Sequence, residues 1–103
     1  MDFQIYDVKL RARAKNDLAN QFDFLIKITQ DIGIANRIIT ELEQKLEGLE
    51  FMPNRHPRMP EPNADKRRLI HKNFIAVFIV NEEKKTVSIL RVFDARMNYI
   101  KYV

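Results

Sequence analysis

Residues 66–99, KRRLIHKNFIAVFIVNEEKKTVSILRVFDARMNY, decide the fold. The stretch opens on a basic cluster, Lys66, Arg67 and Arg68. It passes into Asn73–Val80, NFIAVFIV, a run too rich in β-branched and aromatic side chains to prefer a helix. A nearly continuous apolar run of this kind suits a central strand covered on both faces or curled around a small core. The polar segment Asn81–Lys85 marks a hairpin loop. It lacks glycine, which disfavours a tight two-residue turn and predicts a longer one. Thr86–Val92 is the return strand, and Arg67–Lys72 is a short strand ahead of the central run. Strands this close in sequence form an antiparallel meander. Asp94–Val103, with Arg96, Tyr99, Lys101 and Tyr102, is a short exposed tail.

Everything upstream is material to cover one face of that sheet. Phe3–Leu10 places Tyr6, Val8 and Leu10 on one face with Asp7 and Lys9 between them, the alternation of a strand with one buried side. From Arg11 the period changes to that of a helix, with Ala14, Leu18, Phe22, Leu25 and Ile26 on its apolar side. Arg11 and Ala12 stand where Ser, Thr or Asp would cap that helix, so its first turn must fray or be held by tertiary contacts. A break falls at Thr29–Gly33, and Asp31 suits the N-cap of a second helix. There Ala35, Ile38, Ile39, Leu42, Leu46 and Leu49 form one stripe. Two helices so joined pack as an antiparallel hairpin. Gly48 suits either a C-cap or a close contact. All four prolines fall in the connector Phe51–Asp65, which is therefore extended, with Phe51 or Met52 pinning it to the core. The expected class is α+β in the order β-α-α-β-β-β: an N-terminal strand at one edge, the helical hairpin, then the three-stranded antiparallel meander.

With 103 residues the chain is expected to be one domain, and 46% hydrophobic with 31% charged residues argues against disorder. No apolar run reaches the ~20 residues of a membrane span, so no membrane partner is expected. The absence of cysteine excludes a disulfide framework and a thiolate nucleophile, and suits a cytoplasmic location. His56 and His71 lack metal-ligand spacing, and neither metal nor cofactor is expected. The net charge of +4 is concentrated. Phe51–Lys72 holds six cations (Arg55, Arg58, Lys66, Arg67, Arg68, Lys72) against Glu61 and Asp65, which accounts for the whole excess. Such a stretch can face nucleic acid or an acidic protein segment, or serve as a solvated loop.

Three segments, YDVKLRARAKNDL at Tyr6–Leu18, RRLIHKNFIAVFIVNEEKKTVSILRV at Arg67–Val92 and DAR at Asp94–Arg96, with the order of elements, resemble the RelE/ParE superfamily of bacterial toxins. The resemblance covers nearly the whole chain and rests on the combined pattern rather than on one motif. It implies the toxin half of a type II toxin–antitoxin (plasmid stabilisation) module. A cognate antitoxin then wraps the toxin with its C-terminal segment, in a toxin–antitoxin hetero-oligomer. One branch of the superfamily blocks DNA gyrase and the other cuts messenger RNA in the ribosome.

Metal-independent RNA cleavage needs a base for the ribose 2′-hydroxyl, cations for the phosphorane and an acid for the leaving oxygen. RNA-cleaving members resemble one another in an arginine directly after the central-strand aromatic. Here Phe74 is followed by Ile75, which can supply neither charge nor hydrogen bond. The remaining candidates for such an endoribonuclease are the cations Arg67, Lys72 and Arg96, with Tyr99 or Tyr102 as acid/base. An unperturbed tyrosine, with a pKa near ~10, would need strong local help. Gyrase inhibition needs only a surface, so it is placed first, ahead of RNA cleavage and of an inactive remnant that binds antitoxin alone. The partner-facing candidates are Arg67, Arg68, His71, Arg96, Tyr99 and Tyr102. Blander readings stand beside these. Arg67 and Arg68 point to opposite faces, so one is an ordinary surface arginine. Arg91 is expected to pair with an acid of the first helix such as Asp17. His71 can stack at a sheet edge, His56 is an exposed loop residue, and the two tail tyrosines can anchor on the sheet.

Overall fold

Helix formation begins differently at the two helices. In the computed structural model, which describes residues 5–96, helix α1 (Ala12–Thr29) follows Arg11, whose side chain caps nothing. Arg11 instead donates from its guanidinium to Ser88 Oγ at 2.9 and 3.2 Å and from its amide to Ile89 O at 3.0 Å. The first turn is thus held by tertiary contact, as the missing cap required. Helix α2 (Ile32–Glu47) has the local device: Asp31 Oδ1 accepts from Gly33 N at 2.8 Å and Ile34 N at 3.1 Å. The expected stripe is buried at Ala35, Ile39, Leu42 and Leu46, and continues to Leu49 in a 3-10 turn, Gly48–Glu50. Gly48 is right-handed (φ −62°), and a Cβ there would meet nothing within 4 Å. It is the C-cap of α2, its amide donating to Gln44 O and Leu46 O, and it is not a close contact.

The strands are β1 (Asp7–Leu10), β2 (Arg67–His71), β3 (Phe74–Asn81) and β4 (Thr86–Asp94), in the order β1-β4-β3-β2. β2, β3 and β4 form the antiparallel meander, and β1 joins the β4 edge. That last pairing is parallel, in the register Asp7↔Thr86 to Leu10↔Ile89, so the sheet is mixed. The chain between β1 and β4, which runs through the helical hairpin, the connector, β2 and β3, is long enough for the crossover that a parallel neighbour needs. A four-residue loop closes β3 to β4, with Asn81 Oδ1 accepting from Lys84 N at 3.0 Å.

β3 is covered on both faces, one of the two arrangements that its unbroken apolar sequence allows. Ala76 and Phe78 lie in the main core against Leu18, Leu42 and Leu46 of the helices. Ile75 and Val77 face the other way and form a smaller cluster with Phe93 and Met59, the latter from the proline-rich connector. The expected connector anchors are not the ones used. Phe51 is 46% and Met52 58% exposed, while Leu49, Pro53 and Met59 are buried. Phe51 forms a surface β-bridge with Ile5, and Met52 takes a left-handed turn (φ 48°), which directs both away from the core. The β3–β4 register slips by one residue between Val77 and Phe78, leaving Leu90 as the extra residue of a bulge between Ile89 and Arg91. Among the described residues no helix is long and apolar enough to cross a membrane.

Candidate functional site

The bulge, the start of α1 and the entry to β2 meet around a cleft of about 460 Å³, lined by Arg11, Ala12, Arg13, Lys66, Val77, Leu90 and Arg91. Four of these side chains are basic and none is acidic. Val77 and Leu90 supply an apolar floor, on the sheet face that carries the Met59 cluster.

Each cation is positioned by a different constraint. Arg91 donates Nε to Asp17 Oδ2 at 2.8 Å and Nη2 to Oδ1 at 3.1 Å, and lies 4.7 Å over the Phe93 ring. The same Oδ2 accepts the Val92 amide at 2.9 Å, so one carboxylate from α1 fixes both side chain and backbone beside the bulge. Asp17 also holds the Arg91 guanidinium above its usual pKa, through the hydrogen bonds first and through charge second. This is the Arg91–Asp17 pair expected from the sequence. Arg11 is held on Ser88, and Lys66 Nζ lies 3.0 Å from Asn63 Oδ1. Arg13 is exposed, with no side-chain hydrogen bond or ion pair among the described residues. With Arg91 balanced by Asp17, the cleft offers a ligand three positive charges that no carboxylate among the described residues pairs with.

The residues singled out from sequence lie mostly elsewhere. Arg67 faces the helices' side of β2 and donates to His56 O at 2.7 Å, tying the connector to the strand. Arg68 is half-buried on the opposite face, directly across from Val77 in the cleft floor. At the far end of β2, His71 Nε2 and Lys72 Nζ both approach Glu41 Oε1, at 3.1 and 2.9 Å. Glu41 is held below its usual carboxylate range mainly by the Lys72 hydrogen bond. Arg96 donates its amide and Nε to Asp94 Oδ1 at 2.8 and 2.9 Å and its Nη2 to Oδ2 at 2.6 Å. That contact holds the Asp94 carboxyl below its usual range. Ala95 N bonds Asn73 O at 2.7 Å, so Arg96 shares an end of the sheet with Lys72, while Arg67 sits at the other end of β2. Tyr99 and Tyr102 lie outside the described residues.

His56 is half-buried, edge-on to Phe78 with centroids 5.8 Å apart, rather than exposed. Burial first, then Arg55 and Arg67, push its pKa below the usual histidine value. Among the described residues no group of three His, Cys, Asp or Glu side chains is placed to hold a metal ion.

Arg11 and Arg13 were legible in one respect. Cations at a helix N-terminus oppose the helix dipole. Two arginines where a cap belongs are locally unfavourable, and their use lies outside the helix. Only the bulge brings Arg91 beside them.

The sequence matches one family model over residues 8–99, that of the ParE toxin of the type II toxin–antitoxin system, parDE. No curated protein matches it in sequence. Solved structures that share the fold include the following three. A chromosomal ParDE toxin–antitoxin system from P. aeruginosa aligns with TM-score 0.77 at 20% identity, over 90% of this chain and 99% of that one. The toxin–antitoxin complex RelBE2 from Mycobacterium tuberculosis aligns with TM-score 0.70 at 21% identity, over 87% and 91%. A mutant of the E. coli toxin RelE in the free state aligns with TM-score 0.66 at 16% identity, over 95% and 92%.

Proposed function

Because this chain belongs to the ParE toxin family of type II toxin–antitoxin systems, we propose that it arrests growth by binding DNA gyrase and is silenced by a cognate antitoxin. The observation that carries the choice of target is Ile75. RNA-cleaving members of the superfamily resemble one another in an arginine at that position. Here the side chain is 5% exposed, packed with Met59, Val77 and Phe93. An aliphatic group buried among others gives a phosphorane neither charge nor hydrogen bond. A protein contact needs shape, apolar area and complementary charge. The cleft's Val77–Leu90 floor and its Arg11, Arg13 and Lys66 rim supply them. The antitoxin's role is to cover this working surface.

Purified chain free of antitoxin is expected to inhibit supercoiling by gyrase at near-stoichiometric ratios, and added antitoxin to restore it. Unimpaired supercoiling at a large excess of chain removes the gyrase reading.

Metal-independent cleavage of ribosome-bound messenger RNA is the second reading, supported by the same cations, which suit a phosphate. It requires codon-spaced cuts in primer extension on translated messages. An intact message pool during growth arrest eliminates it.

A further inference from the structure

The chain has only two histidines, and the fold brings both to one cavity. It measures about 430 Å³ and lies where the last turn of α2, the 3-10 turn Pro53–Arg55 and strand β2 converge. Lys45 comes from the helix, Arg55 and His56 from the connector, and Leu69, Ile70 and His71 from the strand. None of the lining side chains is acidic, and the cavity shares no residue with the cationic cleft.

Lys45 and Arg55 are exposed and make no side-chain hydrogen bond or ion pair among the described residues. The dipole at the end of α2 favours a cation such as Lys45, but it does not account for Arg55 in the connector. The histidines are held more firmly. Arg67 donates to His56 O at 2.7 Å, and the His56 ring packs edge-on against Phe78. His71 Nε2 lies 3.1 Å from Glu41 Oε1, the same oxygen that Lys72 Nζ meets at 2.9 Å. Lys72 thus balances Glu41, and the charges of Lys45 and Arg55 are left over. Behind the effect of burial, Arg55 and Arg67 lower the His56 pKa, which marks a positive field at that ring. The backbone is also strained near each histidine. Met52 (φ 48°) opens the turn that carries Arg55, and Lys72 (φ 53°) follows His71. Non-glycine residues in this conformation cost free energy and cluster at ligand clamps.

A metal ion is a poor occupant. Lys45 and Arg55 would repel it, and no trio of ligating side chains is placed for it among the described residues. An anion suits both cations. Two unpaired charges favour a dianion, and a guanidinium presents a fork that matches phosphate oxygens.

We propose that this cavity binds a phosphate group, free or carried by a small organic molecule, between Lys45 and Arg55 with His56 beside them as a further donor. An attached organic part lies along Leu69 and the exposed Ile70. The inference goes beyond the gyrase reading and is independent of it, since no activity assay enters its test.

The test is a titration of isotope-labelled full chain at one pH, with ionic strength held equal by sodium chloride and the imidazole and amide resonances followed. The probes are inorganic phosphate, glucose 6-phosphate and glucose. Both phosphates are expected to move the His56 and His71 ring signals saturably toward their protonated positions, because a nearby dianion favours the imidazolium. Glucose and chloride are expected to leave them in place. Lys45→Gln and Arg55→Gln, at exposed positions outside both apolar clusters, are each expected to weaken binding about tenfold. Tighter binding of the ester supports a phosphorylated metabolite as the ligand, and equal binding supports the free ion. The inference is overturned by the absence of saturable shifts, by an equal response to chloride, or by native affinity in folded Arg55→Gln. Shifts confined to Arg11, Arg13 and Leu90 overturn it too, since the phosphate then belongs to the cationic cleft. If a variant misfolds, the position of the shifts in the unaltered chain still decides the question.

Discussion

Single carboxylates decide much at the residue scale. Asp17 meets the Arg91 guanidinium and the Val92 amide together, and both side chains of the pair are largely removed from solvent, at 18% and 14% exposure. Removing the acid leaves a half-buried cation and an amide without their acceptor. Asp17→Ala is expected to destabilise the chain by about 2–4 kcal/mol, measured as a lowered urea midpoint with unchanged slope. Asp17→Asn, which keeps an oxygen acceptor, is expected to cost less. Glu82 works by convergence. Its carboxylate accepts from Tyr6 Oη at 2.9 Å, Lys85 Nζ at 3.0 Å and the Asn54 amide, joining the residue before β1, the connector and the β3–β4 loop. These hydrogen bonds, with Asn54's the largest, hold its pKa at about 2 against an ordinary 4.5. A depressed carboxylate contributes stability above its unfolded pKa and loses it as pH falls through the folded one. The stability difference between the native chain and Glu82→Gln is therefore expected to be full at pH 6 and above. It should fade between about pH 4.5 and pH 2. Thermal unfolding of both chains across that range checks it, and a difference constant with pH contradicts it.

Among the elements, the two helices differ in how far their own sequences account for them. α2 carries its N-cap in Asp31, and Asp31→Ala is expected to cost about 1 kcal/mol in chemical denaturation. Its other end is arranged against local preference. Glu47→Lys replaces an anion at a helix C-terminus and relieves its repulsion with Glu43. The free chain is expected to gain a few tenths to about 1 kcal/mol, a rise of several degrees in melting temperature. A fall in melting temperature would mean Glu47 has a stabilising partner. α1 is the reverse case, with arginines where an anion or cap belongs. In both helices the misfit charges line a groove rather than the core. The stripe spacing, the Asp31 cap and the meander were readable because each is set by neighbours within one or two turns of chain. The choice of Leu49, Pro53 and Met59 over Phe51 and Met52 as anchors was not. It depends on the Ile5–Phe51 bridge and the left-handed turn at Met52, which only the assembled chain creates.

For the molecule as a whole, the consequence is two surfaces of opposite sign on either side of the β1–α1 junction. The cationic cleft opens on the sheet face bearing the Met59 cluster, and a groove rimmed by Asp7, Glu43, Glu47 and Glu50 runs along the β1 edge of the sheet. If the cleft is the working surface, Arg13→Glu with Lys66→Glu should abolish growth arrest on expression without antitoxin while leaving the far-UV spectrum and melting temperature nearly unchanged. Both side chains stand outside the two apolar clusters. Growth arrest by a folded double variant at native potency would place the working surface elsewhere. Toxicity of the native chain in vitro should also weaken with added salt, because exposed charges interact over only ~8–10 Å at ordinary ionic strength.

Taken alone, the amino-acid order determined the class, the sequence of elements, the meander, both helix faces, the capping of α2 and the Arg91–Asp17 pair. All but the last follow from periodicity and propensity, and the pair follows from the expectation that an arginine inside a strand meets an acid of the first helix. Tertiary structure alone decided that β1 lies parallel to β4 as the outer strand of the sheet. It also decided that Arg11, Arg13, Lys66 and Arg91 share a cleft, and that Arg67 and Arg96 sit at opposite ends of β2 and its neighbours. The physical reason is that a strand's edge and a cleft's lining are set by which distant segments become neighbours. The one-residue slip at Leu90 and the crossover through the helical hairpin fix that, and no local pattern in the chain encodes either.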